Sequence, residues 1–307
     1  MIYKPEGFIF RTPQNNRYIS SAGGLKEALK NNAVAEAKAS VCTSTHDLII
    51  DLPCGKGIIP RNEGAVGIAE GKVRDIALIS RVNKIVSFKV VSVKENENGE
   101  VSAVFSRKDA QIQCHREYIS QLRNGDIIDA RVTHLEQFGA FVDIGCGIPS
   151  LIPIDSISVS RISHPSDRFF VGQNIKAIVK SADNDRIYLT HKELLGTWSE
   201  NAERFNSGET VSGIVRSVED YGIFVELAPN LAGLAEPKEN ISVGDSVSVY
   251  IKAVIPEKMK IKLIIVDNSD DIPSPSETEY FITDNHIDEW IYSPEDSDRY
   301  ISTVFSR

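Results

Sequence analysis

GDIIDARVTHLEQFGAFVDIGCGIPSLIPI (125–154) recurs without a gap as GETVSGIVRSVEDYGIFVELAPNLAGLAEP (208–237). Gly125 meets Gly208, Val132 meets Val215, Phe138-Gly139 meets Tyr221-Gly222, and Phe141-Val142 meets Phe224-Val225. An internal repeat outranks any single motif as a guide to architecture. Downstream, VGQNIKAIVK (171–180) meets VGDSVSVYIK (243–252), the later copy having a shorter intervening loop. A weaker third copy lies upstream, where DLPCGKGIIP (51–60), KIVSFKVVSV (84–93) and GEVSAVFSRKDA (99–110) resemble parts of the middle copy. Three related units therefore fill most of the chain.

Each unit reads as short strands. Ala140, Val142 and Ile144 alternate with Phe141 and Asp143, and Ile187 and Leu189 with Arg186, Tyr188 and Thr190. Period two with one apolar face marks half-buried strands. About five such strands per unit, separated by glycine-rich turns, predict a small antiparallel barrel, since closure removes exposed edges. KELLGTWSENAERF (192–205) has helical spacing and reads as a connector anchored by Trp198; LKEALKNNAVAEAK (25–38) reads as partly helical.

The alternation also sorts the outward side chains. With Ala140, Val142 and Ile144 inward, Phe141 and Asp143 point out; with Ile223, Val225 and Leu227 inward, Phe224 and Glu226 point out. Phe138 and Tyr221 precede these rings by three residues, and Arg186 or Lys260 and Lys262 flank the closing strand. Paired aromatics beside a cation make a platform for stacked bases and a phosphate, and such stacking tolerates any base. His134, on the strand leading to Phe138, is a further candidate RNA contact, though a solvated surface histidine is the plainer reading. A single ring of this kind is more simply a plug for the barrel end; its repetition in pairs favours nucleic acid.

At these residues a family resemblance is plain. FGAFVDIG (138–145) and YGIFVELA (221–228) resemble the signature of the S1 RNA-binding domain, a five-stranded oligonucleotide-binding (OB-fold) barrel, and residues 27–267 as a whole are similar to the short, multi-repeat ribosomal protein S1 homologues of low-GC Gram-positive bacteria. The resemblance implies an all-β chain of three tandem S1-type barrels with short helical connectors. Its segments are an N-terminal extension (1–26), a degenerate repeat (27–120), a full repeat (121–195), a helical connector (196–206), a third repeat (207–267) and an acidic, aromatic tail (268–307). It implies binding of single-stranded RNA in translation, association with the small ribosomal subunit, a cytoplasmic location and no catalysis; no cofactor is expected, and the oligomeric state is left open, with a monomer favoured. Carried over residue by residue, the RNA-facing set is Phe138, Phe141, Asp183 and Arg186 in the middle unit, and Tyr221, Phe224 and Lys260 in the last. The family's histidine falls on Pro153 and Glu236, and the last unit has no aspartate near Pro256. The first unit has His46 and Ile49 at the aromatic positions and Pro60 at the histidine, so it suits docking to a partner better than stacking bases.

Composition narrows the alternatives. The net charge is −9, from 34 Lys+Arg against 43 Asp+Glu. Residues 268–307 hold ten acids and two bases, leaving the rest near neutral, while residues 1–124 carry 18 bases and 13 acids. No apolar run is long enough for a membrane span and no secretory signal is visible. Cys42, Cys54, Cys114 and Cys146 form no CxxC pair and read as thiols of a reducing compartment. GIAEGKV (67–73) fails as a phosphate loop, and no histidine pair has metal spacing. Asp183 and Asp185 read as turn formers, and Arg161 and Arg168 as solvated loop charges. The rival functions are a protein-interaction or regulatory module of RNA decay or transcription with weak RNA contact, and a relative with three such barrels before a winged helix. For the latter the tail is too short and too acidic. That tail nevertheless holds six of the chain's 23 aromatics, which predicts that it packs, either by docking on the third barrel or by imitating RNA over a platform.

Overall fold

The computed structural model describes residues 3–97, 100–183, 186–268 and 278–305, with the side chain of Asp183 outside the described set. Five strands close each of three barrels. The first holds β1 (Val34–Cys42), β2 (Leu48–Leu52), β3 (Gly55–Ile59), β4 (Ile85–Glu95) and β5 (Val101–Ser106). The middle one holds β6 (Ile127–Glu136), β7 (Gly139–Asp143), β8 (Pro149–Pro153), β9 (Asn174–Asp183) and β10 (Arg186–Thr190), and the last β11 (Thr210–Glu219), β12 (Gly222–Ala228), β13 (Leu231–Ala235), β14 (Ser246–Ile255) and β15 (Lys260–Asn268). In all three the third strand meets the fifth and the first meets the fourth. The barrels are not wholly antiparallel, as alternation alone suggested: β3–β5, β8–β10 and β13–β15 run parallel. Alternation reports which face is buried and carries no information on strand direction.

Inward positions make the cores. Leu48, Ile50, Ile59, Val86 and Phe88 are fully buried in the first barrel, where Phe88 and Phe105 stack with centroids 4.2 Å apart. Ala140, Val142, Ile152 and Leu189 are fully buried in the middle barrel, and Val215, Val225, Val249 and Ile251 in the last.

Among the described residues five α-helices flank these strands: α1 (Pro13–Ile19), α2 (Ala22–Lys30), α3 (Ile76–Ile79), α4 (Arg107–Glu117) and α5 (Trp198–Ala202). Ser21 caps α2 by accepting from the Gly24 N–H. The helical reading of 25–38 holds only to Lys30; from Val34 the chain is β1, because Ala35, Ala37 and Ala39 alternate into the barrel interior. Helix α4 escaped sequence reading, although Ser106 with Asp109 three residues on is a capping signal, and the Asp109 N–H does donate to Ser106 Oγ at 2.9 Å. Thr197 and Glu200 form a reciprocal capping box on α5, whose Trp198 is buried.

The chain divides into two compact units, Met1–Leu122 with Asp129–Arg131 and Asp143–Pro149, and the remainder. In the second unit the tail is integral to the fold. Its hairpin of β16 (Glu289–Ile291) and β17 (Ser302–Val304) places Trp290 and Tyr292 in the core of the last barrel together with Trp198. Tyr292 donates to the Asn230 carbonyl at 2.5 Å, and Phe305 is buried against Ile178 and Leu194. The described tail residues thus dock on the barrels and the connector. RNA mimicry is overturned for them, since Phe138 and Tyr221 stay widely exposed. No described helix is long and apolar enough to cross a membrane.

Candidate nucleic-acid interface

The turn from β6 into β7 raises Phe138 clear of the barrel, 56% exposed, while the Ile154 N–H donates to its carbonyl at 2.9 Å. Gly139 follows because the next strand runs too close for a side chain: a Cβ there would lie 2.4 Å from the Ile152 carbonyl oxygen. The last barrel repeats the arrangement, with Tyr221 68% exposed and a Cβ on Gly222 placed 2.6 Å from the Ala235 oxygen. Two residues on, Phe141 and Phe224 lie half-buried on the outer face. Phe138 and Phe141 meet edge to face at 5.9 Å and 88°, Tyr221 and Phe224 at 6.2 Å and 86°. One ring of each pair therefore stands upright beside the other, leaving faces open to a planar ligand.

Strand register places further groups beside these pairs. In the last barrel Ser217 pairs with Phe224, Phe224 with Leu234, and Leu234 with Lys262. In the middle barrel the equivalents are His134, Phe141, Leu151 and Tyr188. The His134 ring lies 6.3 Å from that of Phe141, and Tyr188 pairs with Leu151. His134 is exposed and bonds Glu136 at 2.6 Å. Arg186 and Lys260, both exposed, open β10 and β15 on the same face. Asp183 pairs in register with Arg186 at the end of β9, but its side chain, like all of Asp185, lies outside the described residues. The structure thus gathers His134, Phe138, Phe141 and Arg186 on one barrel face, and Tyr221, Phe224 and Lys260 on another.

Two outward assignments are wrong. Asp143 is 3% exposed, because its carboxylate accepts from the backbone N–H groups of Glu6 (2.7 Å), Gly145 (2.8 Å) and Gly147 (3.0 Å), and burial raises its pKa. Glu226 is buried between two guanidiniums. Arg216 reaches it at 3.0 and 3.1 Å, and Arg168, expected as a solvated loop charge, donates to it as well. Leu227, expected inward, is only half-buried. Alternation distinguishes the two faces of a strand but cannot show what covers the outer one.

Comparison with known proteins gives the middle barrel a family. The S1 RNA binding domain family matches residues 121–192. Those residues are an S1 domain. The chain is also similar to the small ribosomal subunit protein bS1 of Staphylococcus aureus, 31% identical over 183 residues, covering 58% of this chain and 44% of that protein. The Staphylococcus epidermidis protein is 30% identical over 184 residues with the same coverage. The chain thus spans under half the length of these relatives. A multidomain protein with nucleic acid binding domains from Streptococcus pneumoniae aligns over 79% of this chain and 76% of its own at 13% identity and a TM-score of 0.26.

Around the S1 domain the other two barrels vary the same face. The last keeps the aromatic pair. The first has lost it: Val41 pairs with Ile49, Ile49 with Ile58, and Ile58 with Val104, so its row is aliphatic throughout. Its strand-one turn is tied inward instead, Asp47 accepting from the Arg61 N–H at 2.7 Å and His46 lying 3.9 Å from Asp75. Alternation marks Tyr188 only as an outward residue of the closing strand; its place opposite Leu151 depends on the parallel register, which the sequence pattern does not contain.

Proposed function

We propose that this chain binds single-stranded RNA in translation, stacking bases on the S1 domain and on the last barrel. The observation that carries the reading is the edge-to-face ring pair, Phe138/Phe141 and Tyr221/Phe224, built at one register on two barrels with a cationic side chain at the start of the closing strand, one strand beyond the neighbouring one. Rings supply sequence-tolerant affinity and Arg186 or Lys260 supplies phosphate contact. Asp183 completes the middle site in this reading, and His134 borders it. The likeness to bS1 supports action at the small ribosomal subunit, in the cytoplasm, without catalysis.

Titrating fluorescent unstructured RNA tests the reading: affinity falls with rising salt and survives changes of base composition. A second reading, protein interaction, is favoured for the first barrel alone by its aliphatic row, in which Val41 is 50% exposed. Co-sedimentation with ribosomes separates the roles. Val41→Asp is expected to weaken pelleting without changing affinity for free RNA.

A further inference from the structure

We propose that Tyr188 gives the S1 domain a further nucleobase subsite, beyond the pair at Phe138 and Phe141. The inference rests on the RNA-binding reading and extends it to one residue and one ligand group. Tyr188 lies on β10 between Arg186 and Thr190, 38% exposed. Its in-register partner on β8 is Leu151, half-buried. Leu151 occupies the place of Leu234, which in the last barrel pairs with Phe224 on its other side. Phe141, Leu151 and Tyr188 therefore occupy one row across three adjacent strands. With strands about 4.8 Å apart, the two rings are rooted roughly 10 Å from each other across a leucine floor. A base on each, with Arg186 two residues before Tyr188 on the same face, continues the track of the strand over the barrel.

The three barrels differ at this position in chemistry. The same rung carries Tyr188 in the S1 domain, Lys262 in the last barrel and Val104 in the first. A phenol ring presents a π-face to a base, an ammonium attracts a phosphate, and an isopropyl group does neither. The S1 domain thus gains its extra contact by stacking, which is little affected by salt, while the last barrel gains its own by charge, which salt weakens.

The test uses the full chain and a fluorescent oligouridine, titrated over a series of salt concentrations. Tyr188→Ala and Tyr188→Leu are each expected to weaken binding about 5- to 150-fold with the salt slope unchanged, while Tyr188→Phe stays within about twofold. Lys262→Ala is expected to flatten the slope of log K against log salt by about 0.7. The leucine variant keeps apolar cover on the strand, so its loss isolates the π-face. Should Tyr188→Leu bind like the wild type while Phe141→Ala binds weakly, the subsite is refuted and the RNA reading stands. Should neither variant lose affinity, both fall. A flattened slope in Tyr188→Leu assigns the residue to phosphate contact and overturns the proposal.

Discussion

Replacing Glu226 by Ala removes the anion that two buried guanidiniums share. The Arg168 and Arg216 side chains are 8% and 9% exposed, Glu226 is 7% exposed, and the remaining carboxylate near them, Asp167, reaches only Arg216, at 3.3 Å. After the substitution Arg168 is left inside with the Ser158 hydroxyl at 3.4 Å and the Asp167 carbonyl at 3.1 Å. Breaking a buried pair from one side costs about 3–5 kcal/mol, because the stranded charge keeps its desolvation penalty. In a unit of this size each kcal/mol moves Tm by about 2–4 °C, so the second unit is expected to melt about 6–20 °C lower. Differential scanning calorimetry on Glu226→Ala reads this directly. The combined variant Arg168→Met, Arg216→Met, Glu226→Leu removes the charges together and is expected to recover most of the loss. A single variant that melts within about 2 °C of the wild type would refute the account, since Glu226 would then be the surface residue that simple alternation describes.

The two units are expected to respond oppositely to acid. Burial pushes Glu36 up to about 7 from an ordinary 4.5, against hydrogen bonds from Gly7 and Ser87. The folded first unit therefore holds a proton between about pH 4.5 and 7 that the unfolded chain has released. Its stability falls by about 3 kcal/mol as pH rises through that window. Glu36→Gln is expected to flatten most of this dependence in pH-resolved melts, with a residue of the same sign from Asp143. In the second unit burial holds His191 down at about 4, between the rings of Phe169 and Tyr280. The unfolded chain takes up that proton first, so stability is lost as pH falls from about 6.5 to 4, again by about 3 kcal/mol. Trp290→Ala is expected to cost the second unit about 3–5 kcal/mol in denaturant melts and to leave RNA affinity no tighter, as befits a core residue.

The sequence repeat was enough to read three barrels, because gap-free alternation over thirty residues leaves little freedom in which face is buried. It was also enough to find both aromatic pairs, since Phe138-Gly139 and Tyr221-Gly222 mark a turn where the neighbouring strand allows no Cβ. Three features were beyond it. The parallel closing pairs depend on contacts far apart in sequence, so the alignment of Tyr188 with Leu151 was invisible. Burial of Asp143 and Glu226 depends on partners outside their own strands, the backbone N–H groups of Glu6, Gly145 and Gly147 and the guanidiniums of Arg168 and Arg216. The tail's aromatics announced packing, but only the structure shows Trp290 and Tyr292 inside the core of the last barrel.

The ring pairs Phe138/Phe141 and Tyr221/Phe224 are the proposed seat of base stacking. The most direct measurement compares the wild type with the variant Phe138→Ala, Phe141→Ala, Tyr221→Ala, Phe224→Ala for affinity toward unstructured RNA, at one salt concentration and with melting curves alongside. Stacking at about 1–3 kcal/mol per base predicts a loss of at least about 30-fold with all three barrels still folded. A folded variant that binds within about threefold of the wild type would contradict the account.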